Sequence, residues 1–128
     1  MSEKNPLIYI VDDEPLLAEM LTDYLTEYEP NLEIRSFPTG EECLRHLDEH
    51  PSLVILDYYL NSREKTAADG IDILKEIKHR DKAMPVVMLS SQDSYVKAAQ
   101  TIGYGALHYV IKGKDAFNQI LKFIKANT

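Results

Sequence analysis

Asp12 and Asp13 follow the apolar run 7–11, Asp57 follows 53–56, Ser90 follows 86–89, and Lys112 follows 107–111. If those runs are strands of one sheet, the residues meet along one edge. Three anions at close quarters raise one another's pKa unless a cation offsets them, and clustered carboxylate oxygens with water are what Mg2+ prefers. With a divalent ion bound, one carboxylate can attack phosphorus, because the cation screens the approach of a dianionic phosphoryl group. Lys112 is suited to pair with a phosphoryl oxygen and Ser90 to donate a hydrogen bond to another, both charge-assisted contacts. The product of such chemistry is an acyl phosphate. Singly, these residues carry less: Asp12 and Asp13 also suit ordinary strand-to-helix capping, and Ser90 suits a loop hydroxyl.

The elements that must position them show in the hydrophobic pattern. Short apolar runs alternate with segments of helical spacing, as in successive βα units. The first strand, 7–11, precedes a helix with Pro15 in its first turn and Leu16, Leu17, Met20, Leu21, Tyr24 and Leu25 on one stripe. Strand two is predicted at 33–37. Thr39 and Glu42 have capping-box spacing before a helix carrying Cys43, Leu44 and Leu47, which Pro51 ends. Strand three at 53–56 leads through a polar stretch to Asp69, Gly70 and a third helix with Ile73, Leu74 and Ile77. Strand four at 86–89 precedes a helix capped by Asp93, with Val96, Ala99 and Ile102 on its apolar stripe and Gly103 as a left-handed C-cap. Strand five, 107–111, precedes a last helix with Phe117, Ile120, Leu121 and Ile124. Strands one, three and four are nearly all apolar, as parallel strands covered on both faces are. The fold class expected is α/β, an open, doubly wound parallel sheet with ligands at the strands' carboxyl ends.

The 128 residues fit a single domain, 1–128. The hydrophobic share of 45% and charged share of 27% are those of a soluble globular chain, without an apolar run near the roughly 18 residues that span a bilayer. MSEKNP does not read as the start of a signal peptide, and a single cysteine permits no internal disulfide, so a cytoplasmic location is expected. A net charge of −7 disfavours direct contact with nucleic acid or an anionic membrane.

The strings YIVDDEP at 9–15, LVILDYYL at 53–60, PVVMLSS at 85–91 and YVIKG at 109–113, in this order, resemble the response-regulator receiver family of two-component signalling. The resemblance extends over nearly the whole chain and implies a flavodoxin-like fold with five helices and strand order 2-1-3-4-5. It implies that Asp57 is the phosphoacceptor, that Asp13 is a direct metal ligand with Asp12 acting mainly through water, and that the Tyr59 backbone carbonyl completes the protein ligands. Ser90 takes the hydroxyl switch position, Lys112 the phosphoryl-binding lysine position, and Tyr109 the aromatic switch position, although a strand tyrosine also suits plain packing. The implied cofactor is Mg2+, for which Mn2+ can substitute. The implied phosphodonor is a sensor histidine kinase or phosphotransfer protein. The resemblance implies a phosphoacceptor signalling domain, not a turnover enzyme, whose site catalyses its own phosphorylation and dephosphorylation. Its output is a changed partner-binding surface on helix four, strand five and helix five, which also suits weak phosphorylation-dependent dimerisation of a monomer.

Three departures from the family pattern stand out. NSREKTAAD lengthens the loop after Asp57, suiting a partner contact. Gly113 stands where a proline usually follows the lysine, which removes an aid to a cis bond that costs about 2.5–4 kcal/mol without proline. Tyr59, with Gln92, borders the expected path of hydrolytic water, and its bulk suits slow dephosphorylation. His46 and His50, four residues apart, lack a third ligand for zinc, Cys43 reads as a small core residue, and KEIKHRDK at 75–82 reads as a solvated face. A haloacid-dehalogenase-type hydrolase would need an acid at the position of Tyr59. A dinucleotide-binding domain would need a glycine-rich turn where DDEP stands.

Overall fold

The computed structural model describes residues 5–60 and 68–128. Residues 61–67 of the long connection, including most of the expected partner-contacting loop, lie outside the described residues. Five parallel strands run in the order β2-β1-β3-β4-β5, with β1 at Leu7–Val11, β2 at Glu33–Phe37, β3 at Leu53–Asp57, β4 at Val86–Ser90 and β5 at His108–Ile111. Helices α1 (Pro15–Tyr28), α2 (Gly40–Arg45), α3 (Gly70–Arg80), α4 (Tyr95–Gly103) and α5 (Ala116–Asn127) connect and follow them. β3 and β4 extend one residue beyond the apolar runs, so Asp57 and Ser90 are themselves the last strand residues.

Period-two alternation sends neighbouring side chains of each central strand to opposite faces, and two cores result. Tyr9, Val11, Val54, Leu56, Val86 and Met88 pack with Cys43, Ile73, Leu74 and Ile77 on the α2–α3 side. Ile8, Ile10, Leu53, Ile55, Val87 and Leu89 pack with Leu21, Leu25, Ile120 and Ile124 on the α1–α5 side. Complete burial of such a side chain contributes about 1.5–3 kcal/mol, so these layers hold the central strands in register.

Several helical expectations are corrected. On α1 the buried residues are Ala18, Leu21 and Leu25, with Leu17 and Tyr24 partly buried, while Leu16 and Met20 face solvent. α2 stops at Arg45 and gives way to a 3-10 turn at Leu47–Glu49, where His50 turns left-handed at φ 56° before Pro51. His46 and His50 therefore do not share a helix face, and the His46 ring instead stacks on Phe37. Ser94, not Asp93, caps α4, its hydroxyl accepting from the Lys97 amide at 3.2 Å. Gly103 is helical, and the left-handed residue is Gly105 at φ 104°, two positions on. Val96, Ala99 and Ile102 face solvent, so the apolar stripe of α4 is not the face packed on the sheet; the buried residue there is Thr101.

Candidate phosphoacceptor and metal site

Backbone pairing fixes the strand ends before any side chain acts. The Asp12 amide donates to the Phe37 carbonyl at 3.1 Å, the Tyr58 amide to Leu89 at 2.9 Å, and the Lys112 amide to Ser90 at 2.6 Å. These bonds continue the ladders past the strands and bring the residues expected from sequence to one edge. Gly70 keeps α3 against this edge: a β-carbon there would stand 2.3 Å from the Asp57 carbonyl oxygen and 2.8 Å from Tyr58 Cα. The Asp69 side chain accepts from the Asp72 amide and caps that helix.

Asp12, Asp13 and Asp57 are buried at the sheet edge, and with exposed Glu14 they offer carboxylate oxygens that all lie within 4.8 Å of one another. Lys112 Nζ lies 3.3 Å from Asp57 Oδ1, 3.3 Å from Glu14 Oε1 and 3.6 Å from Asp12 Oδ2. Burial, reinforced by the Asp57 charge, pushes the Asp12 carboxyl up to about 7. Burial also raises Asp57, against the opposing pull of Lys112 and of the Tyr59 amide, which donates to Asp57 Oδ1 at 3.2 Å. Burial draws Lys112 down, but Asp12, Asp57 and Glu14 together outweigh it and hold the ammonium above its ordinary value.

One ammonium does not satisfy this group. Asp12 Oδ2 and Asp57 Oδ2 are buried without a hydrogen-bond partner. Lys112 meets Asp12 Oδ2 only as an ion pair at 3.6 Å; buried anionic oxygens are costly unless enough positive charge meets them, and an all-oxygen donor set suits a hard divalent cation. The residues present therefore fit Mg2+. Glu14 was not singled out from sequence; the signal was its place directly after Asp12 and Asp13, where the chain turns into α1.

Ser90 is fully buried, its Oγ accepting from the Gln92 amide at 3.1 Å. Tyr109 is half-buried, its hydroxyl donating to the Gln92 carbonyl at 2.8 Å and its ring set edge-on to Tyr58 with centroids 6.4 Å apart. Ser90 and Tyr109 thus address the same residue, Gln92. Tyr59 projects toward α4, where Lys97 Nζ donates to its hydroxyl at 2.7 Å. The Lys112–Gly113 bond is trans, as are all peptide bonds of the described residues.

A five-stranded parallel sheet of this order with an acid-lined carboxyl edge defines a class of phosphorelay signalling domains. The chain belongs to that class: residues 8–125 match the response regulator receiver domain family. Among its relatives, the transcriptional regulatory protein CssR of Bacillus subtilis is 35% identical over 105 residues, covering 82% of this chain and 44% of that protein. The transcriptional regulatory protein MalR of the same organism is 24% identical, covering 82% of this chain and 43% of that protein. The chain thus spans less than half the length of these relatives. Among solved structures, the receiver domain of NtrX from Brucella abortus superposes with a TM-score of 0.80 at 26% identity, covering 94% of this chain and 99% of that one. The receiver domain of Francisella response regulator 1452 shares the fold at 20% identity, with a TM-score of 0.82 and 95% coverage of both chains.

Proposed function

We propose that this chain is a single receiver domain that accepts a phosphoryl group on Asp57 from a histidine kinase or phosphotransfer protein. The observation that carries the reading is the buried Asp57 carboxylate, with one oxygen unpartnered and the other beside Lys112, among Asp12, Asp13 and Glu14. A structural ion pair would not require two more buried acids at the same edge.

In the reaction an Asp57 carboxylate oxygen forms a bond to phosphorus while the bond from phosphorus to the donor's imidazole nitrogen breaks, and that nitrogen keeps the electron pair. Asp12, Asp13, Asp57 and the Tyr59 carbonyl would hold Mg2+, which when bound supplies charge neutralisation for the phosphoryl oxygens. Lys112 exchanges part of its contact with Glu14 and Asp12 for a phosphoryl oxygen. Ser90 turns its hydroxyl from the Gln92 amide to another phosphoryl oxygen. Release of Gln92 loosens the partner of Tyr109, whose inward turn changes the surface of α4, β5 and α5 as a shift in populations. That surface would engage a downstream effector, or a second copy of the chain in a weak phosphorylation-dependent dimer. Among the described residues no helix is long and apolar enough to cross a membrane.

Incubation with acetyl phosphate and Mg2+, or Mn2+, tests the assignment. Acid-stable, hydroxylamine-labile labelling of the wild type, absent from Asp57→Asn and lost on chelation, is the expected result. Continuous release of phosphate from small esters without a labelled protein would instead indicate a hydrolase.

A further inference from the structure

The site's loop and α4 are joined by a contact that the acceptor chemistry does not use. Lys97, in the first turn of α4, donates from Nζ to the Tyr59 hydroxyl at 2.7 Å, and the same ammonium lies 5.4 Å and 5.7 Å from the ring centroids of Tyr59 and Tyr58. The two rings are tilted against each other at 4.8 Å, and Tyr58 meets Tyr109 edge-on. The Tyr59 amide in turn donates to Asp57 Oδ1. A continuous path of side chain and backbone thus runs from α4 to the Asp57 carboxylate.

This path matters because, among the described residues, the first turn of α4 is only lightly buried. Thr101 is the buried residue of that helix, while Tyr95 is 93% exposed and Val96 78% exposed. Ser94 fixes where the helix starts, not where it sits on the domain. A hydrogen bond with cation–π support on two rings is of the right strength to set the position of a lightly packed helix without freezing it.

We propose that Lys97 is a positioning residue: by holding the Tyr59 hydroxyl it ties the first turn of α4 to the backbone that touches Asp57, so that helix placement and the state of the carboxylate are coupled. The biological consequence rests on the phosphoacceptor reading, since a ligand on α4 would then alter phosphorylation of Asp57 and the reverse, by thermodynamic reciprocity. The tie itself is a property of the fold and is open to a test that needs no phosphodonor.

Amide chemical shifts of residues 95–103 are recorded for pairs of proteins that differ only by Asp57→Asn, in the wild type and in Lys97→Met, Tyr59→Phe, the double variant and Lys97→Arg. Loss of the Asp57 charge is expected to shift α4 amides in the wild type. The response should fall about threefold or more in either single variant, no further in the double variant, and recover in Lys97→Arg, the non-additivity expected of two residues acting through one contact. Initial rates of labelling by acetyl phosphate should fall in the same order. An α4 response of wild-type size in Lys97→Met, or further loss in the double variant, overturns the tie. A wild-type chain that takes no label sinks the acceptor reading alone, and the shift experiment still decides on Lys97.

Discussion

At the scale of single residues, the governing fact is that acidic oxygens are gathered out of water around one ammonium. Asp12 bears the largest consequence, because its carboxyl titrates near 7 in the folded chain and near the ordinary aspartate value when unfolded. Between those values the folded state binds the extra proton, so stability falls as pH rises through that window and this contribution is flat on either side. Asp57, raised by burial, acts with the same sign. Urea midpoints of the metal-free protein are expected to drop between pH 5 and pH 7.5, with a slope of at most about 1.4 kcal/mol per pH unit for one group. Added Mg2+ should flatten the slope, since the cation takes the place of the proton. A metal-free midpoint that rises steadily across that range would contradict the electrostatics described for the site. Glu49 does not obscure the result: its hydrogen bond from Tyr9 and its pairing with Arg35 lower its carboxyl, placing its effect on the acid side.

At the scale of elements, the site depends on how closely α3 and α4 approach the strand ends. Gly70 opens α3 against the carbonyl of Asp57, and no flexible side chain can yield to a methyl group there because the obstacles are backbone atoms. Gly70→Ala should therefore destabilise the domain by about 1–3 kcal/mol in urea unfolding and weaken Mg2+ binding as the loop shifts. α4 behaves differently, because its apolar stripe of Val96, Ala99 and Ile102 faces solvent rather than the core. Ile102→Lys is expected to change stability by no more than about 0.5 kcal/mol while abolishing any self-association induced by beryllofluoride in size-exclusion chromatography. A large loss of stability would mean that the stripe packs on the domain after all.

At the scale of the whole molecule, the sheet was legible because parallel strands buried on both faces leave dense apolar runs. All five strand runs stand where the pattern puts them, within a residue at their ends. The strand order was not in the pattern; it came with the resemblance carried by the four motif strings. Helix faces were less legible. Periodicity selects large apolar residues, but on α1 the small Ala18 is buried beside Leu21 and Leu25 while Leu16 and Met20 are outside; on α4 the apolar stripe marks an outer surface. A one-dimensional pattern reports that a stripe exists without saying what covers it. The pairing of Lys97 with Tyr59 joins residues 38 positions apart, and the hold of Glu14 on Lys112 joins residues 98 apart, so neither had a local signal.

Cys43 lies at zero exposure on the buried face of α2, and desolvation pushes its thiol up to about 12, so almost none of it is thiolate at neutral pH. Since the chain has a single cysteine, its native surface is chemically silent toward maleimides and disulfide reagents. Ellman's reagent should register negligible reaction with the folded protein and a full equivalent after denaturation. A reporter thiol introduced at Val96 would then carry a fluorophore or spin label against no background, without first deleting the native cysteine, and would follow the outer helix in real time as the carboxylate is charged and discharged.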